Sequence, residues 1–108
     1  MPDAVQVGPK VCLINKYSAS DGDLFPWGFR ALSLGKLIGT RTWGGIIGIS
    51  GPLPYMDGTD IRVPFFTSYD PKTGNWIIEN DDTRRRSLID NDPIKEWNGE
   101  DQQLDRAI

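Results

Sequence analysis

A chain of 108 residues has the size of a single domain, and such a chain buries roughly two-thirds of the surface that its unfolded form exposes. Its net charge of -3 argues against a nucleic-acid-binding surface, which needs a positive stripe. No apolar run approaches the ~20 residues of a membrane span, and the first residues lack the basic-then-apolar pattern of a secretory signal. We therefore expect a cytoplasmic protein that binds neither nucleic acid nor a membrane.

The chain is rich in turn-forming residues and has one thiol. It contains 12 glycines and 8 prolines among 108 residues. Both residues are more frequent than in an average protein, where glycine makes up roughly 7% and proline roughly 5% of the residues. We therefore expect many turns and few long helices. The single cysteine, Cys12, lies inside an apolar run, and we expect it to be a buried strand thiol. One cysteine cannot form an internal disulfide, which fits a reducing compartment.

The first third of the chain has the pattern of a strand, a helix and a second strand. Residues 1–9 have no periodicity and are predicted to be a tail or connector. Residues 10–15 form an apolar run typical of a short strand buried on both faces. Helical spacing begins at Leu24, with Asp23 as the expected N-cap, and residues 36–42 predict the second strand. Short joints between these elements favour a βαβ unit, whose two strands run parallel.

The rest of the chain predicts turns and short strands. Residues 43–51 mix glycines with β-branched residues, which indicates close backbone approach, a bulge or a bound ligand. The turn signal at residues 70–74 predicts a β-hairpin spanning residues 61–78. Residues 81–92 are nearly all polar and should be exposed or mobile. Residues 100–108 have an acidic start and an apolar side, which predicts a short docking helix.

Ser20 lies where the first predicted strand passes into the helix. A turn of this kind exposes the hydroxyl, and the start of a helix offers unpaired backbone N–H groups to developing negative charge. Both properties suit a serine nucleophile, although a serine in this position is also a common helix N-cap. A nucleophilic serine needs a base, yet the chain has no histidine. Lys16 or Lys36 could replace it only if buried, and both are expected at solvated strand ends.

Four motifs follow one another in the chain: Ser20-Asp21-Gly22-Asp23-Leu24-Phe25, Ile38-Gly39-Thr40-Arg41-Thr42-Trp43-Gly44-Gly45, Trp76-Ile77-Ile78-Glu79-Asn80 and Asp101-Gln102-Gln103-Leu104-Asp105-Arg106-Ala107-Ile108. Together they resemble the C-terminal catalytic subdomain of tricorn-type serine proteases, relatives of the carboxyl-terminal processing proteases. The resemblance implies that residues 10–108 form a single subdomain. It implies an α/β fold, a small mixed β-sheet with a βαβ unit and a β-hairpin, as part of a crotonase/ClpP-like protease core.

The resemblance also implies roles for three residues. Ser20 matches the nucleophile, and the backbone N–H of Asp21 matches one donor of the oxyanion hole. Glu79 matches the glutamate that supports the catalytic hydrogen-bond network. The processing proteases use a lysine base where this chain has Gly45, and the tricorn branch instead uses a histidine from an earlier part of its polypeptide. The resemblance implies no cofactor and no metal.

Two differences from the family shape the expected function. The histidine, the second oxyanion glycine and the acidic specificity residue belong to family segments upstream of this chain. Residues 81–88 replace a buried family strand that we expect them not to form, and either a divergent loop or a shifted reading frame would explain them.

We therefore expect the serine-bearing part of a tricorn-like peptidase that hydrolyses short peptides. Because the base and the second oxyanion donor are absent, we expect this chain alone to be inactive. Its expected partners are a peptide substrate and either missing upstream protease segments or further copies in a homo-oligomer. The alternative is a catalytically dead remnant that acts as a self-associating binding or structural module.

Overall fold

A computed structural model describes residues 7–49, 51, 53–77, 79 and 87–108. The elements in chain order are β1 (Val11–Ile14), α1 (Asp21–Ala31), β2 (Lys36–Gly39), β3 (Gly48–Ile49), β4 (Leu53–Pro54), β5 (Asp60–Ile61), β6 (Pro64–Phe66), β7 (Ser87–Leu88), α2 (Pro93–Trp97) and α3 (Gln102–Ala107). The longest described element, α1, has 11 residues. Residues 7–9 of the predicted tail are exposed and irregular, and residues 1–6 lie outside the described part of the chain.

A three-stranded parallel sheet in the order β1-β2-β7 carries the main core. Strands β1 and β2 pair in the register Leu13↔Ile38 and are joined through α1, so the predicted βαβ unit is confirmed. Helix α1 packs against both strands, and its Phe29 joins Ile14 and Leu37 in one buried cluster. This core forms because the helix and the sheet each turn an apolar side towards the other.

Antiparallel pairing occurs in two further sheets of two strands each, β3-β6 and β4-β5. The predicted α/β class with parallel and antiparallel strands is confirmed, but among the described residues the two kinds of pairing lie in separate sheets. Gly48 of β3 pairs with Phe66 of β6, whose ring occupies the space that a Cβ at residue 48 would need. The pairing also shifts register between Gly48 and Ile49, an irregularity of the kind that is one of the alternatives predicted for the glycine-rich stretch at 43–51.

The predicted turn at residues 70–74 is confirmed. The N–H of Gly74 donates to the carbonyl oxygen of Asp70 at 2.7 Å, and the N–H of Asp70 donates to that of Asn75 at 2.8 Å. Gly74 has φ +71°, a left-handed conformation that glycine adopts without strain. The hairpin is shorter than the predicted span of 61–78, because β6 within that span pairs with β3.

Three details of the βαβ unit differ from the prediction. Strand β1 is not buried on both faces, since Ile14 is 2% exposed while Leu13 is 43% exposed. Cys12 is half-buried rather than buried, and this partial burial raises the pKa of its thiol above the ordinary value. Helix α1 begins earlier than predicted, at Asp21, so the predicted N-cap at Asp23 is wrong.

The end of the chain returns to the parallel sheet. Strand β7 pairs with β2, with Ser87 opposite Ile38. The family strand that residues 81–88 are predicted not to form is a buried one. Ser87 and Leu88 do form a short strand, in which Leu88 is 69% exposed, and residues 81–86 lie outside the described part of the chain. Helix α3 contacts β1 and β2, which confirms the predicted docking helix. None of the described helices has the length and apolar character needed to cross a membrane.

Candidate active site

Ser20 occupies the turn between β1 and α1 and is exposed. Its backbone has φ 56° and ψ −112°, a combination that non-glycine residues rarely adopt. Its carbonyl oxygen accepts the N–H of Asp23 at 2.8 Å and that of Leu24 at 3.0 Å, which begins the helix. Its hydroxyl makes no capping hydrogen bond. Ser20 therefore takes the place of an N-cap without using its side chain as one.

Asp21 is the first residue of α1, a position whose backbone N–H has no partner within the helix. The next two N–H groups are occupied, because Gly22 donates to Ala19 at 2.8 Å and Asp23 donates to Ser20. Within the described ranges no backbone carbonyl accepts the N–H of Asp21. The positive end of the helix dipole reinforces this donor, so it can stabilise negative charge beside Ser20.

Ser20 and Glu79 line a common cleft with a volume of about 550 Å³. Its other lining residues are Trp43, Gly44, Gly45, Ile47, Gly48, Ile49 and Phe66. Apolar side chains and glycine backbone thus surround one hydroxyl and one carboxylate. A cleft of several hundred cubic ångströms is large enough for a small ligand or part of a peptide.

Glu79 is half-buried, and its Oε1 accepts the N–H of Ile47 at 3.1 Å. Because Ile47 also lines the cleft, this bond ties the carboxylate to the cleft wall. Residues 78 and 80, which flank Glu79 in its motif, lie outside the described part of the chain. The structure therefore brings Ser20 and Glu79 to one cleft, where the carboxylate of Glu79 accepts a backbone N–H of the cleft wall.

Asp23 does not line the cleft but bonds to two residues that do, a contact that the sequence analysis did not predict. It is 4% exposed, and its carboxylate accepts the N–H of Gly44 at 2.7 Å and that of Gly45 at 3.2 Å. These glycines lie 21 and 22 residues further along the chain, so no local pattern predicts the contact. A usable signal is the second carboxylate in the first turn of α1, because one acidic residue there suffices to favour the helix.

Neither candidate lysine, Lys16 or Lys36, lines the cleft. The ring of Trp43 occupies the space that a lysine side chain at position 45 would need. The Nζ of Lys16 lies 5.3 Å from the ring centre of Tyr17, and Lys36 is exposed at the start of β2. A Cβ at Gly45 would overlap the ring of Trp43, so a longer side chain there requires that ring to move. In the part of the chain that the structure describes, no group of three or more His, Cys, Asp or Glu side chains could hold a metal ion.

Known proteins resemble this chain over most of its length. Residues 3–84 match peptidase family S41. The chain is 41% identical over 101 residues to a Tricorn protease of Thermoplasma volcanium, covering 94% of this chain and 10% of the relative. It is 36% identical over 107 residues to Tricorn protease homolog 1 of Streptomyces coelicolor, covering 99% of this chain and 10% of that relative.

A solved structure agrees with the sequence comparison. The crystal structure of the tricorn protease matches with a TM-score of 0.78 at 39% identity, covering 93% of this chain and 10% of that one. The chain thus spans about a tenth of the length of the relatives it matches. The resemblance to tricorn-type proteases is confirmed, and the chain belongs to peptidase family S41.

Proposed function

We propose that this chain carries the nucleophile of a tricorn-like serine peptidase that acts on short peptides. The oxygen of Ser20 attacks the carbonyl carbon of the peptide bond, its proton passes to a base, and the amine leaves before water releases the acyl group. The backbone N–H of Asp21 donates to the developing oxyanion. The carboxylate of Glu79 supports the hydrogen-bond network around these groups.

One observation carries the proposal: the exposed Ser20 makes no capping hydrogen bond, lines a cleft, and precedes a helical N–H that no backbone carbonyl of the described residues accepts. A serine that served only to cap α1 would use its hydroxyl on the N–H groups of the first turn. The strained backbone at Ser20 points the same way, because such conformations cluster at functional sites.

The proposal assigns the base to a different polypeptide segment. The chain has no histidine, and neither candidate lysine lines the cleft. Losing one member of a serine triad removes several orders of magnitude of rate, so this chain alone should not turn over peptides at a measurable rate. We assign the chain to the cytoplasm, since its single thiol suits a reducing compartment. We also assign it to a peptidase core of the crotonase/ClpP-like type.

A second candidate function is a self-associating binding module. Phe65 is 77% exposed and Trp76 is 65% exposed, and both line a hollow of about 520 Å³ next to β6. Exposed apolar surface of this kind often marks a protein-binding face. A stable oligomer in solution that leaves Ser20 unreactive would favour this candidate over the peptidase.

A fluorophosphonate probe tests the first candidate directly. The serine oxygen bonds to phosphorus, the phosphorus–fluorine bond breaks, fluoride leaves, and the serine proton passes to the buffer. We expect mass spectrometry to find the adduct at Ser20, because the neighbouring N–H stabilises the developing charge even without the base. The adduct should vanish in Ser20→Ala and persist in Ser33→Ala, since Ser33 is also exposed and also has a positive φ, 53°.

Two results would overturn the proposal. Equal labelling of Ser20 and Ser33, or none at Ser20, would mean that the turn does not activate its hydroxyl. Turnover of a fluorogenic peptide by this chain alone, abolished in Ser20→Ala, would instead refute the assignment of the base to another segment.

A further inference from the structure

Asp23 lies in the first turn of the helix that presents Ser20, and nothing in the proposed chemistry uses its carboxylate. It is almost fully buried, at 4% exposed. A buried carboxylate is unfavourable unless polar groups meet it. Here the N–H groups of Gly44 and Gly45 meet its two oxygens, at 2.7 Å and 3.2 Å. The start of α1 adds a favourable dipole.

The two glycines belong to the cleft wall rather than to a strand. Their N–H groups would lack partners if Asp23 were absent, because no neighbouring strand pairs with residues 44 and 45 in the described part of the chain. A third bond reinforces the contact, since the N–H of Trp43 donates to the carbonyl oxygen of Ser18 at 2.9 Å. Residues 43–45 are thus fastened to the turn that carries Ser20.

We propose that Asp23 is a positioning residue of the peptidase site. Its carboxylate fixes the Gly44–Gly45 wall relative to Ser20, so that a peptide in the cleft meets the serine oxygen at a constant distance and angle. The inference rests on the proposed function, because positioning matters only if Ser20 reacts. Geometry at this level has a large effect on rate, since a displacement of about 1 Å can cost roughly a hundredfold.

Asp23→Asn is the sharpest perturbation. An amide keeps the shape of the side chain but offers one acceptor oxygen, and its NH₂ group would face the second N–H donor. One of the two bonds is therefore lost at nearly constant volume. Asp105→Asn is the matched control, because Asp105 also lies in the first turn of a helix, α3, but is exposed. This substitution removes the same charge at a position away from the cleft.

Two measurements on the full chain separate positioning from simple stability. The first is amide hydrogen exchange by NMR at Gly44 and Gly45, which reports the hydrogen bonds of these two N–H groups to Asp23 whether or not Ser20 reacts. The second is fluorophosphonate labelling of Ser20, resolved into the reversible binding constant of the probe and the rate of the bonding step. In Asp23→Asn we expect faster exchange at both glycines and about a tenfold slower bonding step, with probe binding unchanged. Asp105→Asn should match the wild type in both.

Each other result counts against the inference. Unchanged exchange at both glycines would show that Asp23 does not hold the wall, and faster exchange with an unchanged bonding step would make its role structural only. Absence of Ser20 labelling in the wild type would refute the proposed function and the positioning role with it. If the wild type is labelled and Asp23→Asn shows the same rate of the bonding step, the positioning role alone is refuted. If Asp23→Asn does not fold, wild-type exchange decides: rates at Gly44 and Gly45 as fast as in an unstructured peptide would overturn the inference.

Discussion

Replacing Ser20 with glycine should stabilise the fold while removing the reactive oxygen. The backbone of Ser20, at φ 56° and ψ −112°, lies in a region that residues with a Cβ rarely occupy. Glycine adopts positive φ without this penalty. Ser20→Ala is the correct reference, because alanine keeps the Cβ and the strain and loses only a hydroxyl that makes no capping bond.

The expected gain follows from two opposing terms. Holding a non-glycine residue in such a conformation costs about 1–3 kcal/mol. Glycine forgoes that cost but loses roughly 0.5–1 kcal/mol more backbone entropy on folding. The free energy of unfolding of Ser20→Gly should therefore exceed that of Ser20→Ala by about 1 kcal/mol. In a chain of about 100 residues this corresponds to a rise in Tm of roughly 4–8 °C.

Urea denaturation followed by tryptophan fluorescence and circular dichroism measures the difference. Ala19→Gly is the matched control, because Ala19 lies in the same turn and is not among the described residues with positive φ. That variant should lose about 0.5–1 kcal/mol, as glycine does where no strain is relieved. A Ser20→Gly protein no more stable than Ser20→Ala, or an Ala19→Gly protein that gains equally, would show that the turn is not strained.

Two further predictions concern the sheet and the C-terminal helix. Gly39→Ala should destabilise the fold by more than about 2 kcal/mol, because φ is +125° there and a Cβ would overlap the carbonyl oxygen of Ile14. Gly28→Ala, inside α1 with open space around it, should instead gain about 0.5–1 kcal/mol, and equal effects in urea denaturation would contradict the register of β1 and β2. The N–H of Leu104 donates to the carboxylate of Asp101, and this bond is the largest cause of the lowered pKa of that carboxyl. The bond therefore stabilises the folded state above the unfolded pKa of about 3.9, and this stabilisation is lost as the pH falls through the lower folded pKa. The amide shift of Leu104 in an acid titration should follow this loss, and an identical response in Asp101→Asn would refute the assignment.

The βαβ unit is predictable because its signals are local. An apolar run, helical spacing and short joints specify two strands and a helix, and the parallel pairing of β1 with β2 follows from the connection. The start of α1 is less predictable. Residue type favours Asp23 as N-cap, whereas in the structure the main chain of Ser20 begins the helix and the side chain of Asp23 is used elsewhere.

Strand β7 shows the limit of local patterns. Ser87 and Leu88 follow a long polar stretch and have no alternation from which a strand can be inferred. They pair because β2 presents an edge with unpaired backbone groups. Contacts of this kind depend on tertiary structure, which composition and spacing do not contain.

The candidate site is predictable in its residues and not in its supports. Motif resemblance assigns Ser20, Asp21 and Glu79 to one site, and the structure gives Ser20 and Glu79 a common cleft, while their catalytic roles stay predictions. Asp23 stands in the same motif as Ser20, yet its carboxylate accepts the N–H groups of Gly44 and Gly45 in another motif. Sequence reasoning would have to pair the two motifs in space to find it.

Two acidic side chains accept backbone N–H groups of the loop between β2 and β3, which forms a wall of the cleft. A backbone N–H in a cleft wall needs a partner, and a strand pairing would supply one only by extending the sheet across the opening. In this chain the N–H of Gly44 donates to Asp23 and that of Ile47 donates to Glu79, so the loop is held without becoming a strand. The two acids come from different parts of the chain, one from the helix that presents Ser20 and one from beyond the hairpin turn. Because the same loop segment receives both, a change at either acid should shift this wall of the cleft, which is held by contacts 21 and 32 residues apart in sequence.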